Sequence, residues 1–416
     1  MSPIKNLLQN IGPGPLVAAA FIGPGTVMVC TLAGFNFGFE LLWALGLSVL
    51  ITIVLQETSG RIGIATQKDL GELVRESTGP FIYKSIQILL IFSAIVLGNI
   101  AYESGNITGA RLGLEVFISL PKVDLAGLSL DLGNLFIGSL AFAMLWFAKY
   151  RSIERFLVFL VILMSISFIW TAIALAPNWS KVAGGFIPRI NAENLTNVVA
   201  LIGTTVVPYN LFLYASLSKN KWKDRKAFHW MRWDIGLAVV LGGLVSMAIL
   251  IVGTFNMSEQ IQDAQSIANG LQAVFGKTGT YLMGFGLLAA GLTSSITAPL
   301  AAALVICGIL GKSQETQSRP MRLSILLVMG LGLIFASLGI KPVQLISFAQ
   351  LANGVLLPFV SVWIVWMASR TAVMGKSKSQ ISYLILSYLI VLFTLVLGLR
   401  SIASVLKWDF LEKFVS

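Results

Sequence analysis

AAAFIGPGTVMVC, residues 18–30, lies in an apolar run long enough to cross a membrane, yet it carries Gly23-Pro24-Gly25 at its middle. Proline lacks the backbone N–H and collides with the preceding turn. Each glycine costs about 1 kcal/mol against alanine in a helix interior. A second break of the same kind falls in LIGTTVVPYNLFLYASL, residues 201–217, where Pro208 stands in mid-span behind Gly203. Lipid tolerates freed backbone groups only where protein or a polar cavity satisfies them. One proline kink is ordinary in a membrane helix. Two breaks, each in the first helix of a five-helix half, form a pattern.

The halves are read from hydropathy. Of 416 residues, 56% are hydrophobic and only 11% charged, where soluble domains carry about 25% charged residues. A spanning helix needs about 20 apolar residues, and eleven runs qualify: 15–36, 40–58, 82–104, 133–149, 156–176, 197–217, 235–255, 279–310, 321–340, 343–369 and 380–400. The expectation is an all-α integral membrane protein, a single transmembrane transporter domain over residues 1–416. Its halves cover about 12–177 and 197–370, with an extra helix at about 380–400. Five helices per half is an odd number, so the second half runs inverted relative to the first. Paired interrupted helices in inverted repeats point to a transporter's midplane binding site. The first run is a full span without a small-residue cleavage site, so no signal peptide is expected.

The net charge of +11 raises nucleic acid or an anionic surface as partners, but the placement of the charge argues otherwise. With the N-terminus in the cytoplasm, twenty of the 29 Lys and Arg residues fall on the inner side, as the positive-inside rule requires. The basic cluster SKNKWKDRK, 218–226, is then a cytoplasmic loop. No nucleic acid and no obligate protein partner are expected, and the lipid bilayer is the surrounding phase. A multi-pass protein of the cell inner membrane follows, with its C-terminus outside.

Cys30 and Cys307 both fall in apolar spans and read as small buried hydrophobes. His229, the single histidine, lies in the basic loop, so no histidine cluster can form. No His-Glu-x-x-His, paired Cys-x-x-Cys or Walker-type loop is present. No cofactor, no resident metal and no catalytic residue are expected. An intramembrane enzyme would need clustered carboxylates or histidines facing a cavity, and Glu103 is the one clear acid within a span. Trp43, Trp146, Trp170, Trp222 and Trp230 stand near span ends or in loops, as an interfacial belt predicts.

The residues around the breaks carry a resemblance. GPGTVMVCTLAGFNFGFELLW (23–43), RIGIATQKDLGELVRE (61–76), GTTVVPYNLFLYASL (203–217), LAAGLTSSITAPLA (288–301) and SFAQLANGVLLPF (347–359) resemble segments of the Nramp metal-ion transporters, in the right order from about residue 12 to 370. The resemblance implies a LeuT-type fold with helices 1 and 6 broken. It also implies Asp-Pro-Gly-Asn at the first break and Met-Pro-His at the second. Here they read Gly23-Pro24-Gly25-Thr26 and Val207-Pro208-Tyr209. The swaps remove a hard anionic ligand, a soft thioether that selects transition metals, and a proton carrier near neutral pH.

What remains fits a neutral zwitterion. A half-helix beginning near Gly25 and Thr26 offers free N–H groups and a positive dipole end to a carboxylate, and carbonyls around Gly203, Thr204, Thr205 and Val207 offer acceptors to an ammonium group. The chain is thus similar to a divergent, Nramp-related branch proposed to carry neutral amino acids. The expected function is secondary, symport-type transport of small neutral amino acids by alternating access. The alternatives are a divalent metal ion transporter of the same fold, hydrated magnesium included, and a non-transporting sensor.

The expected substrate-binding residues are Gly23, Gly25, Thr26, Gly203, Thr204, Val207, Tyr209, Asn210, Gln350 and Asn353. Gln350 and Asn353 match polar family positions beside the substrate, with polar helix–helix contact as the other reading. Glu103 matches a family glutamate on the proton route, but Ile100 occupies the place of the aspartate expected one turn earlier. Glu103 is therefore a candidate for coupling or a hydrogen-bond anchor. Thr293 and Ser294 align with a family hydroxyl stretch that suggests an ion-coupling role.

Overall fold

The computed structural model describes residues 12–406 except 15, 18–21, 78–79, 126–127, 148–149, 258–259 and 262. Residues 18–21, within the stretch quoted first, lie outside the described residues. Among those described, eight helices are long and apolar enough to cross a membrane, and two shorter apolar helices, Leu132–Phe147 and Ile162–Ala174, fall where the fourth and fifth spans are expected. The first run is split. Gly14, Leu16 and Val17 are helical, and a separate helix α1 (Pro24–Phe37) follows the break. The chain continues through α2 (Leu42–Thr66), α3 (Leu70–Arg75), α4 (Phe81–Glu115), α5 (Leu132–Phe147), α6 (Tyr150–Ala174) and α7 (Trp179–Gly184). The sixth run is also two helices, α8 (Leu195–Thr205) and α9 (Pro208–Lys221). Then come α10 (Phe228–Gly253), α11 (Ala264–Phe275), α12 (Thr278–Leu310), α13 (Arg319–Ala336), α14 (Pro342–Ser369) and α15 (Ile381–Leu406).

Two features depart from the hydropathy reading. Helix α4 runs eleven residues past the expected end of the third span, because its polar stretch from Glu103 to Thr108 is buried in protein, against α12, α13 and α14, rather than in lipid. It also contains a π-helical turn, Ser93–Leu97, of the kind that concentrates at functional sites. After α4 a small antiparallel hairpin forms, β1 (Lys122–Leu125) against β2 (Leu128–Asp131), with Lys122 opposite Asp131. Arg111 ties the hairpin to α4, its Nε donating to Asp131 at 2.6 Å.

Glycines set how closely the central helices cross. A Cβ on Gly203 of α8 would lie 2.3 Å from the Gln350 carbonyl oxygen, and one on Gly354 of α14 would lie 2.6 Å from the Val199 carbonyl oxygen. Backbone therefore meets backbone across α8 and α14, the small-residue packing that membrane helices favour. Gly34 of α1 and Gly253 of α10 make the same kind of crossing, where a Cβ would lie 2.1 Å from the Leu250 and 2.6 Å from the Thr31 carbonyl oxygen respectively.

At the face carrying the basic loop, α3 is tied to the end of α9. Asp69 and Glu72 form a capping box at the start of α3, and the Lys219 ammonium donates to both carboxylates at 3.0 Å. Burial raises the Glu72 carboxyl, but the Asp69 amide and Lys219 outweigh it and hold it below the usual carboxylate range. A depressed carboxyl contributes stability above its unfolded pKa, about 4.3, and loses it as pH falls through the folded value. Acidification below about pH 4 should therefore lower the thermal midpoint more in the parent than in Glu72→Gln, by differential scanning fluorimetry. Equal acid sensitivity of the two would remove this tie from the account.

Candidate functional site

The two breaks meet. Gly23 precedes α1 in an extended conformation (φ −102°, ψ −176°), and Pro24 occupies the first helical turn, where its missing N–H costs nothing. The second break is built the same way, with Val207 extended (φ −82°, ψ 122°) ahead of Pro208. Between them the hydroxyls of Thr26 and Thr204 share a hydrogen bond of 2.8 Å, and both side chains are fully buried.

The walls come from α4, α12 and α14. A Cβ on Gly23 would stand 2.6 Å from the Ser294 hydroxyl oxygen of α12 and 3.4 Å from the Tyr102 hydroxyl of α4. Tyr102 meets Tyr209 edge to face, ring centroids 5.4 Å apart. Gln350 of α14 lies directly over Gly25, its Nε2 1.9 Å from where a Cβ would sit. The site thus joins Gly23, Gly25, Thr26, Thr204, Tyr209, Ser294 and Gln350. Asn210 stands in the first turn of α9, and Asn353 three residues beyond Gln350, both buried. Among the described residues, the Tyr102 hydroxyl, Gln350 Oε1, Asn353 Nδ2 and both amide atoms of Asn210 are buried without a hydrogen-bond partner. Such atoms are few in folded proteins, and each costs about 1–3 kcal/mol when left unpaired. Those that stand beside the breaks can pair with a polar guest.

Other expected residues have different surroundings. Gly203 faces the backbone of α14, where it sets the crossing distance. Thr293 donates to the Ala289 carbonyl of its own helix. Val207 is a buried apolar cap to α9. Glu103 is fully buried. Its Oε2 accepts from Asn106 Nδ2 at 3.4 Å, and Gly332 of α13 packs against its stem. One turn earlier, Ile100 packs with the apolar side chains of Val96, Ala302, Ile306 and Val328. Among the described residues no group of three or more His, Cys, Asp or Glu side chains comes together.

Sequence reasoning missed Tyr102. The signal was there, an aromatic hydroxyl beside the one clear intramembrane acid, but nothing in the spacing said that α4 would pack on Pro24 through Gly109. Trp222 is also misread as interfacial. It is buried, 6% exposed, against Gly12.

The profile of the family described as natural resistance-associated macrophage protein-like matches residues 14–404. A divalent metal cation transporter MntH of Bradyrhizobium diazoefficiens is 27% identical, over 97% of this chain and 90% of its own length. The MntH of Mycobacterium tuberculosis is 26% identical over 91% of this chain and 87% of its own. Among solved structures, the manganese transporter of Eremococcus coleocola superposes with a TM-score of 0.79 at 23% identity, covering 97% of this chain and 88% of that one. A nucleobase-cation-symport-1 family transporter, Mhp1, superposes at 0.62 and 16% identity, over 97% and 92% of the two chains. At these identities the superpositions establish the fold, the LeuT-like arrangement.

The expectation of amino-acid transport is overturned. Relatives that span nine-tenths of the chain are named for divalent metal cations. The structure supplies a physical reason as well. The close approach over Gly25 that a substrate carboxylate would need is filled by the Gln350 side chain.

Proposed function

Starting from a chain that belongs to the natural resistance-associated macrophage protein-like family, a family of membrane transporters, we propose that it carries a divalent metal cation by alternating access, held where the two broken helices meet. The observation that carries this reading is the full-length likeness to proteins named divalent metal cation transporters.

The donor set narrows the cargo. Oxygens of Thr26, Thr204, Tyr102, Asn210 and Gln350 are neutral, and no carboxylate or thioether stands among them. Neutral oxygens do not repay full dehydration of a small hard ion, and without sulfur they do not select a soft one. The ion is therefore held through its own waters, whose hydrogens point at these acceptors. Magnesium, which sheds water reluctantly, is the cargo this lining suits best. The backbone freed at Gly23 and Val207 lets the two half-helices part from their partners, which is how such carriers expose one side and then the other.

Protein reconstituted into vesicles with an entrapped magnesium indicator tests this. Saturable magnesium entry is expected, with manganese entering at lower affinity than magnesium and with alanine neither entering nor competing. Absence of any saturable divalent-ion entry from vesicles holding folded protein would overturn the reading.

A further inference from the structure

The tetrapeptide Ile-Gly-Pro-Gly occurs twice in the first forty residues, at 22–25 and again at 11–14. The first-helix break uses only the second copy. The earlier copy meets one carboxylate. The amides of Gly12 and Gly14 donate to Asp234 Oδ1 and Oδ2, each at 2.8 Å, and the Tyr214 hydroxyl donates to Oδ2 at 3.0 Å. Asp234 lies two turns into α10 and Tyr214 in α9, so the carboxylate joins the start of the first helix to the corner of the second broken helix and the next span.

Both glycines are required by this contact. A Cβ on Gly12 would lie 2.2 Å from the Trp222 ring, and one on Gly14 would lie 2.7 Å from the Asp234 carbonyl oxygen. Trp222 is fixed in turn, its carbonyl accepting from Gln67 Nε2 of the α2–α3 corner at 3.1 Å. The Val17 amide donates to the Pro13 carbonyl at 3.1 Å, so the pinned residues are continuous with the helical turn that holds Val17.

We propose that Asp234 is a positioning residue for transport. It latches the N-terminal piece of the first helix shut against α9 and α10, and release of its two backbone bonds opens the N-terminal face of the site. The carboxylate acts through the backbone of residues 12–14 and touches no cargo. A charged acceptor holding two amides makes a strong closure, yet one confined to a single side chain, so it opens as a unit. The proposal rests on the alternating-access reading above, but its test uses no transported ion, so the two fail separately.

The test is cysteine labelling of purified full-length protein in detergent, where reagent reaches both faces. In a background with Cys30 and Cys307 replaced by serine, Val17→Cys reports on the latched helix, since Val17 is fully buried. Ile137→Cys, equally buried but in α5, reports on general loosening. Asp234→Asn keeps the shape and loses one of the two paired acceptors, while Gly12→Ala disturbs the same contact from the other side. Each should raise the Val17→Cys labelling rate about tenfold, the scale of one lost charge-assisted hydrogen bond, and leave Ile137→Cys unchanged. If Asp234→Asn does not fold, Gly12→Ala alone decides. A Val17→Cys rate within twofold of the parent, or an equal rise at both reporters, overturns the proposal.

Discussion

Aspartate in place of Gly23 is expected to raise the affinity for manganese by about ten- to a hundredfold. Gly23 holds an ordinary extended backbone, φ −102°, so a side chain is not excluded by conformation. Its Cβ would face the Ser294 hydroxyl at 2.6 Å and the Tyr102 hydroxyl at 3.4 Å, and the serine hydroxyl can rotate aside. The new carboxylate would then reach toward the shared hydroxyls of Thr26 and Thr204. A unit charge 4 Å from another is worth about 4 kcal/mol at an effective dielectric of 20, and a divalent ion doubles that. Desolvation of the carboxylate and the ion takes back most of it, leaving roughly 1.5–3 kcal/mol, which is the stated gain. The same charge should shift the parent's preference for magnesium toward manganese, because it rewards an ion that sheds a water. Titration calorimetry of both ions against parent and variant measures it. Unchanged manganese affinity in a folded variant would move the site away from Gly23.

The second restoration should fail. Ile100→Asp returns the other acid implied by the family resemblance, but to a turn packed on apolar side chains and one turn from the buried carboxyl of Glu103. Ile100 is 5% exposed and packs with Val96, Ala302, Ile306 and Val328, and the one acid near it, Glu103, is of like charge when ionised. An unpaired charge there has no compensating partner, and burying one costs about 3–5 kcal/mol. A large fall in thermal midpoint is expected, against a small one for Ile100→Asn, with no gain of proton movement during uptake. A variant as stable as the parent would show that water or a counter-charge reaches this turn. The contrast between the two positions is the substance of the claim. Gly23 faces the hydroxyls of Ser294 and Tyr102, whereas Ile100 packs against Val96, Ala302, Ile306 and Val328.

How far the sequence could be read depended on what each residue's role required. The breaks at Pro24 and Pro208 were legible because a proline between glycines in an apolar run admits few explanations. The inverted halves followed from counting spans. The overreach of α4 to Glu115 was not legible, because polar residues buried against other helices look the same in sequence as residues leaving the membrane. Gln350 could be placed beside the site by resemblance, but its seat over Gly25 is a tertiary fact that no spacing predicts, and that seat removed the room on which the amino-acid reading relied. Gly203 was taken for a binding position and packs instead against the backbone of α14. A glycine beside a break is needed equally for a guest and for a helix crossing, and only the neighbouring helix tells them apart. Asp234, near a helix end, reads in sequence as a capping or pairing residue, but its partners are backbone amides more than two hundred residues away, which no spacing predicts.

The apolar side chain at Ile100 has an electrical consequence for the proposed cargo. If Glu103, the buried acid one turn on, keeps its proton throughout the cycle, a divalent ion crosses with both of its charges uncompensated, and each cycle moves two positive charges. One elementary charge falling through 100 mV releases about 2.3 kcal/mol, so two release roughly 4.6 kcal/mol, enough to sustain a gradient on the order of two thousandfold. The voltage across the membrane, and not its acidity, would then be the battery of this carrier. Collapsing that voltage at constant pH would bring the inside concentration down to that of the outside.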